Sequence, residues 1–126
     1  MIVSKKDPLK LGVEYLRCVE FLRPAIDIHK THSLLDIFGM LVSGHAFLVA
    51  LKNSAGILEI VEYPKYKSCR IWLAGGEMDE LLKVYPKIQE WAKYKKCKKI
   101  EIIGRKGWEK VFKDHKKEAV VLTKEL

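Results

Sequence analysis

The stretch Tyr66–Ile103, YKSCRIWLAGGEMDELLKVYPKIQEWAKYKKCKKIEII, decides the fold. Tyr66–Ala74 is rich in β-forming residues, and Cys69, Ile71 and Leu73 alternate with Arg70 and Trp72. That alternation predicts a strand with the first three side chains on one face and the other two opposite. Gly75-Gly76 closes it. From Glu77 to Lys96 the period changes. Met78, Leu81, Leu82, Tyr85, Ile88, Trp91 and Ala92 recur every three to four residues, which predicts a long helix. Pro86 lies inside this helix, removes one N–H and crowds the carbonyl of Leu82, so a kink is expected. Ile100–Ile103 reads as a short strand. A strand, helix and strand in this order imply a right-handed parallel crossover.

Outward from this unit, Ala46–Lys52 and Ile57–Tyr63 read as two more strands. Asn53-Ser54-Ala55-Gly56 supplies turn chemistry between them, so the three strands predict an antiparallel meander. Two helices precede the meander. The first covers Pro8 to Ile28, with Asp7 as cap and Pro8 in the first turn. Its apolar stripe is Leu9, Val13, Leu16, Val19, Leu22 and Ile26, and Pro24 should kink or split it. The second runs from Leu34 to Val42, opened by Ser33 and Asp36 as a capping box and stopped by Gly44. Downstream, Trp108–His115 reads as a short helix with Val111 and Phe112 inward, and Ala119–Leu122 as a final strand. The expected order is α-α-β-β-β-α-β-α-β, an α/β fold with a mixed sheet and helices on both faces. There is no internal repeat, linker or low-complexity tract, and 126 residues predict one domain, 1–126.

Composition narrows the class. At 48% hydrophobic and 32% charged, the chain has the material for a real core, which excludes a disordered or fibrous protein. Apolar runs such as Ala46–Leu51 are far shorter than the ~20 residues of a membrane span. No apolar segment follows Met1-Ile2-Val3-Ser4-Lys5-Lys6, so no secretory signal is read and a cytoplasmic location is expected. The net charge of +8 lies wholly in residues 63–126, with 17 Lys/Arg against 9 Asp/Glu. Such a surface attracts polyanions, including nucleic acid and phosphate-bearing cofactors. Twenty of the 24 cations are lysine, however, which equally describes a solvated basic face. Cys18, Cys69 and Cys97 show no C-x-x-C spacing, and His29 with His32 finds no third ligand, so neither a disulfide framework nor a metal site is read.

The element order is similar to that of the GNAT acetyltransferase superfamily over roughly residues 10–126. Glu62-Tyr63-Pro64, Trp72-Leu73-Ala74-Gly75-Gly76, Trp91-Ala92 and Gly104-Arg105-Lys106-Gly107-Trp108, taken together, also resemble small phage-encoded GNAT-like proteins. The resemblance implies acetyl transfer from acetyl-CoA to an amine. It implies a cofactor held at Leu73, Gly75 and Gly76 before the long helix, where free N–H groups favour an anion. Arg105 and Lys106 would lie near its phosphates, with Trp108 stacking on a ring. The family's Gln/Arg-x-x-Gly-x-Gly/Ala motif is only partly met, and Glu77, Asp79 and Glu80 crowd the first turn with carboxylates. Phe112 stands where the family often has a tyrosine acid, while Tyr85 and Tyr94 lie on the other helix. Glu59, Glu62 and His45 are the candidate bases, the two glutamates falling on opposite strand faces. The expectation is an acetyltransferase-related protein with a reduced catalytic site. A non-enzymatic phage virion or accessory scaffold, with a phage protein partner or homo-oligomer, is the alternative; a basic nucleic-acid-binding protein is the second.

Overall fold

The computed structural model describes residues 2–104 and 108–126, of Glu109 the backbone only. The chain runs β1 (Ile2–Val3), α1 (Pro8–His29), α2 (Leu34–Ser43), β2 (Phe47–Ala50), β3 (Ser54–Glu62), β4 (Lys67–Gly76), α3 (Met78–Tyr94), β5 (Lys99–Ile102) and α4 (Trp108–Val111). The five strands form one sheet in sequence order. β1 to β4 pair antiparallel, and β4 pairs β5 in parallel through the α3 crossover. Fold class, meander and crossover are therefore as expected from the sequence. No helix among the described residues is long and apolar enough to cross a membrane.

Both ends of the expected order change. Ile2–Val3 adds a strand beside β2, with Val3 buried. Ala119–Leu122 is not a strand, and Val120, Val121 and Leu122 stand in solvent. A short apolar run carries the β signal whether or not a sheet edge is near enough to pair with it. The helix from Trp108 is also shorter than expected, ending at Val111, whose side chain is exposed rather than inward.

The sheet has two cores. α1 and α2 cover one face, packing Leu11, Cys18, Leu22, Ile37 and Leu41 on Leu48, Ile57 and Leu73. α3 covers the other, packing Val84, Ile88 and Ala92 on Val49, Leu58, Cys69 and Ile71. α1 does not bury the stripe its sequence suggests. The buried set is Leu11, Tyr15, Cys18, Leu22, Ala25 and Ile26. Leu9, Val13 and Leu16 are 60–80% exposed. The helix carries two apolar stripes that converge near Leu22, and the one with small residues wins. At Gly75 a Cβ would stand within 1.9 Å of the Phe21 carbonyl oxygen, so α1 rides directly on the β4 backbone. Tyr15 adds a 2.7 Å hydrogen bond to the Leu34 carbonyl oxygen, and its burial pushes the phenol up to about 12.

Neither internal proline splits its helix: α1 passes through Pro24 and α3 through Pro86. The carbonyls that lose a partner belong to Glu20 and Leu82, both on exposed residues where water can satisfy them. α1 starts with the Asp7 carboxylate accepting from Lys10 N–H, and α2 opens with the reciprocal Ser33–Asp36 capping box. Gly44 ends α2 at φ +83°.

A second joint ties the start of α3 to the β2–β3 turn. That turn is tighter than expected, closed by Leu51 N–H on Ser54 O, and β3 begins at Ser54 rather than Ile57. Gly76, at φ +104°, swings the chain over it, and Glu77 N–H donates to Asn53 O. The Glu80 carboxylate accepts from Ser54 Oγ, Asn53 N–H and Asn53 Nδ2. Those hydrogen bonds, from Ser54 first, hold its carboxyl below the usual glutamate range.

Two sets of expected outcomes follow from these joints. Gly75→Ala should lose ~1–3 kcal/mol or more in urea unfolding, since its Cβ meets backbone that cannot yield. Gly12→Ala, with open space around its Cβ on α1, should gain up to ~1 kcal/mol. Because the folded pKa of Glu80 is depressed, its contribution is present above the unfolded value and is lost as pH falls through the folded one. Glu80→Gln should therefore be less stable than the parent at pH 7, with the gap narrowing as pH falls below the usual glutamate range.

Candidate functional site

The site is built on an extra residue in β4. Ile57 pairs with Leu73, but the next residue, Leu58, pairs with Ile71. Trp72 is thus a β-bulge, and it reverses the side-chain alternation of the strand. Below it, Cys69 and Ile71 face α3; above it, Leu73 faces α1 and α2. The expectation that all three share a face is corrected by this one residue. The bulge also marks the end of the β4–β5 ladder. Pairing stops at Ile71 with Ile102, followed by one hydrogen bond from Ile103 N–H to Ile71 O. Above it, β5 contributes no paired residue to Trp72–Gly76 among the described residues. A slot with unpaired β4 backbone opens at the carboxyl ends of two parallel strands, where α/β sheets place ligands.

On the α1–α2 side the slot is bordered by the loop between those helices. The His32 ring stands edge-on to Trp72 at 4.7 Å. Thr31, His32, Ile37, Trp72 and Leu73 together line a small crevice. By sequence His32 stands only as a candidate metal ligand, and no local pattern signals this placement. Two residues below the bulge, Glu59, Arg70 and Glu101 lie side by side across β3, β4 and β5. Arg70 Nε is 3.2 Å from Glu101, and Tyr63 donates its hydroxyl to the same carboxylate at 2.8 Å. Burial opposes the charge of Glu101, but hydrogen bonds from Tyr63, Ser68 and Arg70 outweigh it and hold the carboxyl below its usual range.

On the α3 side stands an aromatic cluster. Trp108 stacks on Phe112 at 5.7 Å, and Tyr85 meets the Phe112 ring edge at 5.1 Å. The Tyr85 hydroxyl hydrogen-bonds His115 Nε2, and His115 Nδ1 lies 2.7 Å from Asp114. Burial, then the nearby Asp114 charge, pushes the Tyr85 phenol up to about 12. Tyr85 belongs to α3 rather than to the last helix, yet the fold sets it directly against Phe112. Tyr85 packs on the α3-side core that contains Cys69, Ile71, Val84 and Ile88.

The start of α3 tests the fit to an anionic cofactor. Glu77 makes no side-chain cap, so the first N–H groups of this 17-residue helix are not occupied by it. Glu80 is turned away onto the β2–β3 turn. Glu77 and Asp79 remain exposed and oppose an anion. Gly75 is filled from one side by α1, which leaves its role structural on that face. The slot and uncapped helix start thus fit the chain and phosphate of a CoA-type group, while two carboxylates weaken the phosphate end.

The remaining sequence candidates scatter. Arg105 and Lys106 lie outside the described residues, while Trp108 belongs to the aromatic cluster, its ring packed over Gly104. Glu59 reaches the bulge region. Glu62 does not: it lies at the far end of β3, paired with Lys67 at 3.6 Å. His45 precedes β2 on the surface, its Nδ1 bonded to Ser43 Oγ, and so also stands away from the slot.

No protein-family model matches this chain, and neither does any curated protein. Solved structures do. An aminoglycoside acetyltransferase from an uncultured soil metagenomic sample superposes with a TM-score of 0.66 at 10% identity, covering 100% of this chain and 95% of that one. A point mutant of a Thermus thermophilus protein gives 0.63 at 14% identity over 100% and 97%. A tetramutant of a Bacillus halodurans protein gives 0.58 at 12% over 100% and 99%. At these identities the likeness is one of fold, and the chain has a GNAT-like fold.

Proposed function

We propose that this protein is an acetyl-CoA-dependent acetyltransferase acting on an amine. The bulge at Trp72 carries the reading. It ends the β4–β5 ladder directly below an uncapped helix start, in a fold shared with an acetyltransferase. Acetyl-CoA, when bound, supplies an activated thioester carbonyl. The unpaired backbone of Trp72–Gly75 would hold the pantetheine amides by strand-like hydrogen bonds. The first N–H groups of α3, with Arg105 and Lys106, would meet the phosphates.

The acceptor amine would enter from the α1–α2 side, where His32, Trp72 and Glu59 border the bulge. Carboxylates at Glu59 and Glu101 favour a cationic acceptor there. Glu59 would take the proton that the amine sheds as it forms the new C–N bond. Tyr85, on the α3 face of the sheet, would return a proton to the sulfur as the C–S bond breaks. A phenol held protonated by burial suits a donor, and His115 with Asp114 orients it.

Thermal unfolding with acetyl-CoA tests the reading first. At ~100 times its dissociation constant a ligand adds ~2.7 kcal/mol, a shift of several degrees here. A shift with acetyl-CoA and CoA but not with a plain nucleotide is expected; its absence overturns the proposal. Given activity, Tyr85→Phe should lower kcat ~100-fold with the acetyl-CoA KM nearly unchanged. Because the Tyr85 pKa is raised to about 12, this group should cause no loss of kcat up to about pH 9.

A further inference from the structure

The fold gathers a second basic cluster at the opposite end of β4. From Lys67 to the bulge at Trp72 the strand spans about 16 Å at ~3.3 Å per step, so this groove lies beyond the Glu59, Arg70 and Glu101 row, whose Arg70 and Glu101 contact the Tyr63 hydroxyl. Here the β3–β4 turn and the α3–β5 loop face each other across a groove of about 410 Å³. That volume lies within the range of small-ligand sites, roughly 300–1,000 Å³. Its walls are Lys65 and Lys67 on one side and Lys96 and Lys98 on the other, with Tyr63 and Tyr66 between. The one acidic residue in it, Glu62, is already paired with Lys67.

The groove is built, not incidental. Lys98 N–H donates to Lys67 O at 2.9 Å, which locks the two walls together. Tyr63 N–H donates to Tyr66 O and closes the turn. The Tyr63 hydroxyl is held by Glu101 and Arg70, so its 38%-exposed ring is set before a ligand arrives. The two tyrosine rings lie 5.3 Å apart. Lys99 covers Tyr66 at 5.0 Å and pairs with Glu118 at 3.8 Å, leaving Tyr63 as the open ring. Lys96 sits at φ +66°, the turn that brings this half of the lysine run round to the groove.

We propose that this groove binds a nucleotide unit, its base on Tyr63 and its phosphates among Lys65, Lys96 and Lys98. The charge selects phosphate, and the ring selects the base. The proposal does not rest on acetyl transfer and stands whether or not that activity is found.

Anisotropy of a fluorescein-labelled twelve-residue oligothymidylate tests it, starting at about 50 mM salt where phosphate contacts are strong. ATP and tripolyphosphate serve as competitors. Lys65→Glu with Lys98→Glu should weaken binding at least tenfold and flatten the salt slope by about 1.4, for two lost phosphate contacts. Lys6→Glu with Lys10→Glu changes the net charge equally on exposed sites elsewhere, and should cost less than about twofold. Tyr63→Leu, with its fold checked by its unfolding midpoint, should weaken oligothymidylate about tenfold while tripolyphosphate competes unchanged. Competition by ATP identifies a free nucleotide as a sufficient ligand; binding of the oligomer without it identifies a nucleic-acid strand. No binding in low salt, equal losses in the two double variants, or indifference to Tyr63 overturns the proposal.

Discussion

The extra residue at Trp72 is the constraint on which the rest of the arrangement depends. A strand alternates its side chains strictly, so one inserted residue exchanges the faces of everything beyond it. Without it, Leu73 would point at α3 and the α1 core would lose a fully buried side chain. With it, β4 contributes Cys69 and Ile71 to one core and Leu73 to the other. The same step ends hydrogen bonding to β5 and leaves strand backbone exposed in the one place where α3 begins. One irregularity thus sets both the packing of the two cores and the free strand edge beside α3.

Two close joints hold that irregularity in place. α1 lies on Gly75 with no room for a Cβ, and Gly76 turns the chain onto Asn53 and Ser54. Glu80 then fastens α3 to the same turn. The acidic start of α3, which by sequence argues against a bound anion, is therefore partly structural: one of its three carboxylates serves the β2–β3 turn. Tyr85 shows the complementary effect. Phe112 cannot donate a proton, yet the crossover lowers Tyr85 onto Phe112 from the neighbouring helix. A phenol absent from one element is brought beside it on another by the fold alone.

The charge asymmetry divides in the same way. The second half of the chain is basic by composition, but composition does not say where the charge goes. The β3–β4 turn and the α3–β5 loop are about thirty residues apart in sequence and are joined by Lys98 N–H on Lys67 O. Lys96 and Lys98, part of the basic second half that reads equally as a solvated face, line one wall of a groove.

The sequence by itself determined the class, the element order from the first helix to the short last one, both helix caps, the meander and the crossover. These rest on local signals: periodicity, turn residues and caps act within a few positions, so a linear reading captures them. Tertiary structure decided which of two stripes α1 buries, because only the backbone of β4 at Gly75 selects the small-residue face. It decided that Ile2–Val3 joins the sheet and Ala119–Leu122 does not, because a strand exists only where an edge accepts it. It decided the bulge, for which Trp72 carries no local signal. It also decided where the candidate residues fall, separating Glu62 and His45 from Glu59, setting His32 against Trp72 and setting Tyr85 against Phe112. Those outcomes depend on register and crossing geometry between elements distant in the chain, which no local pattern encodes.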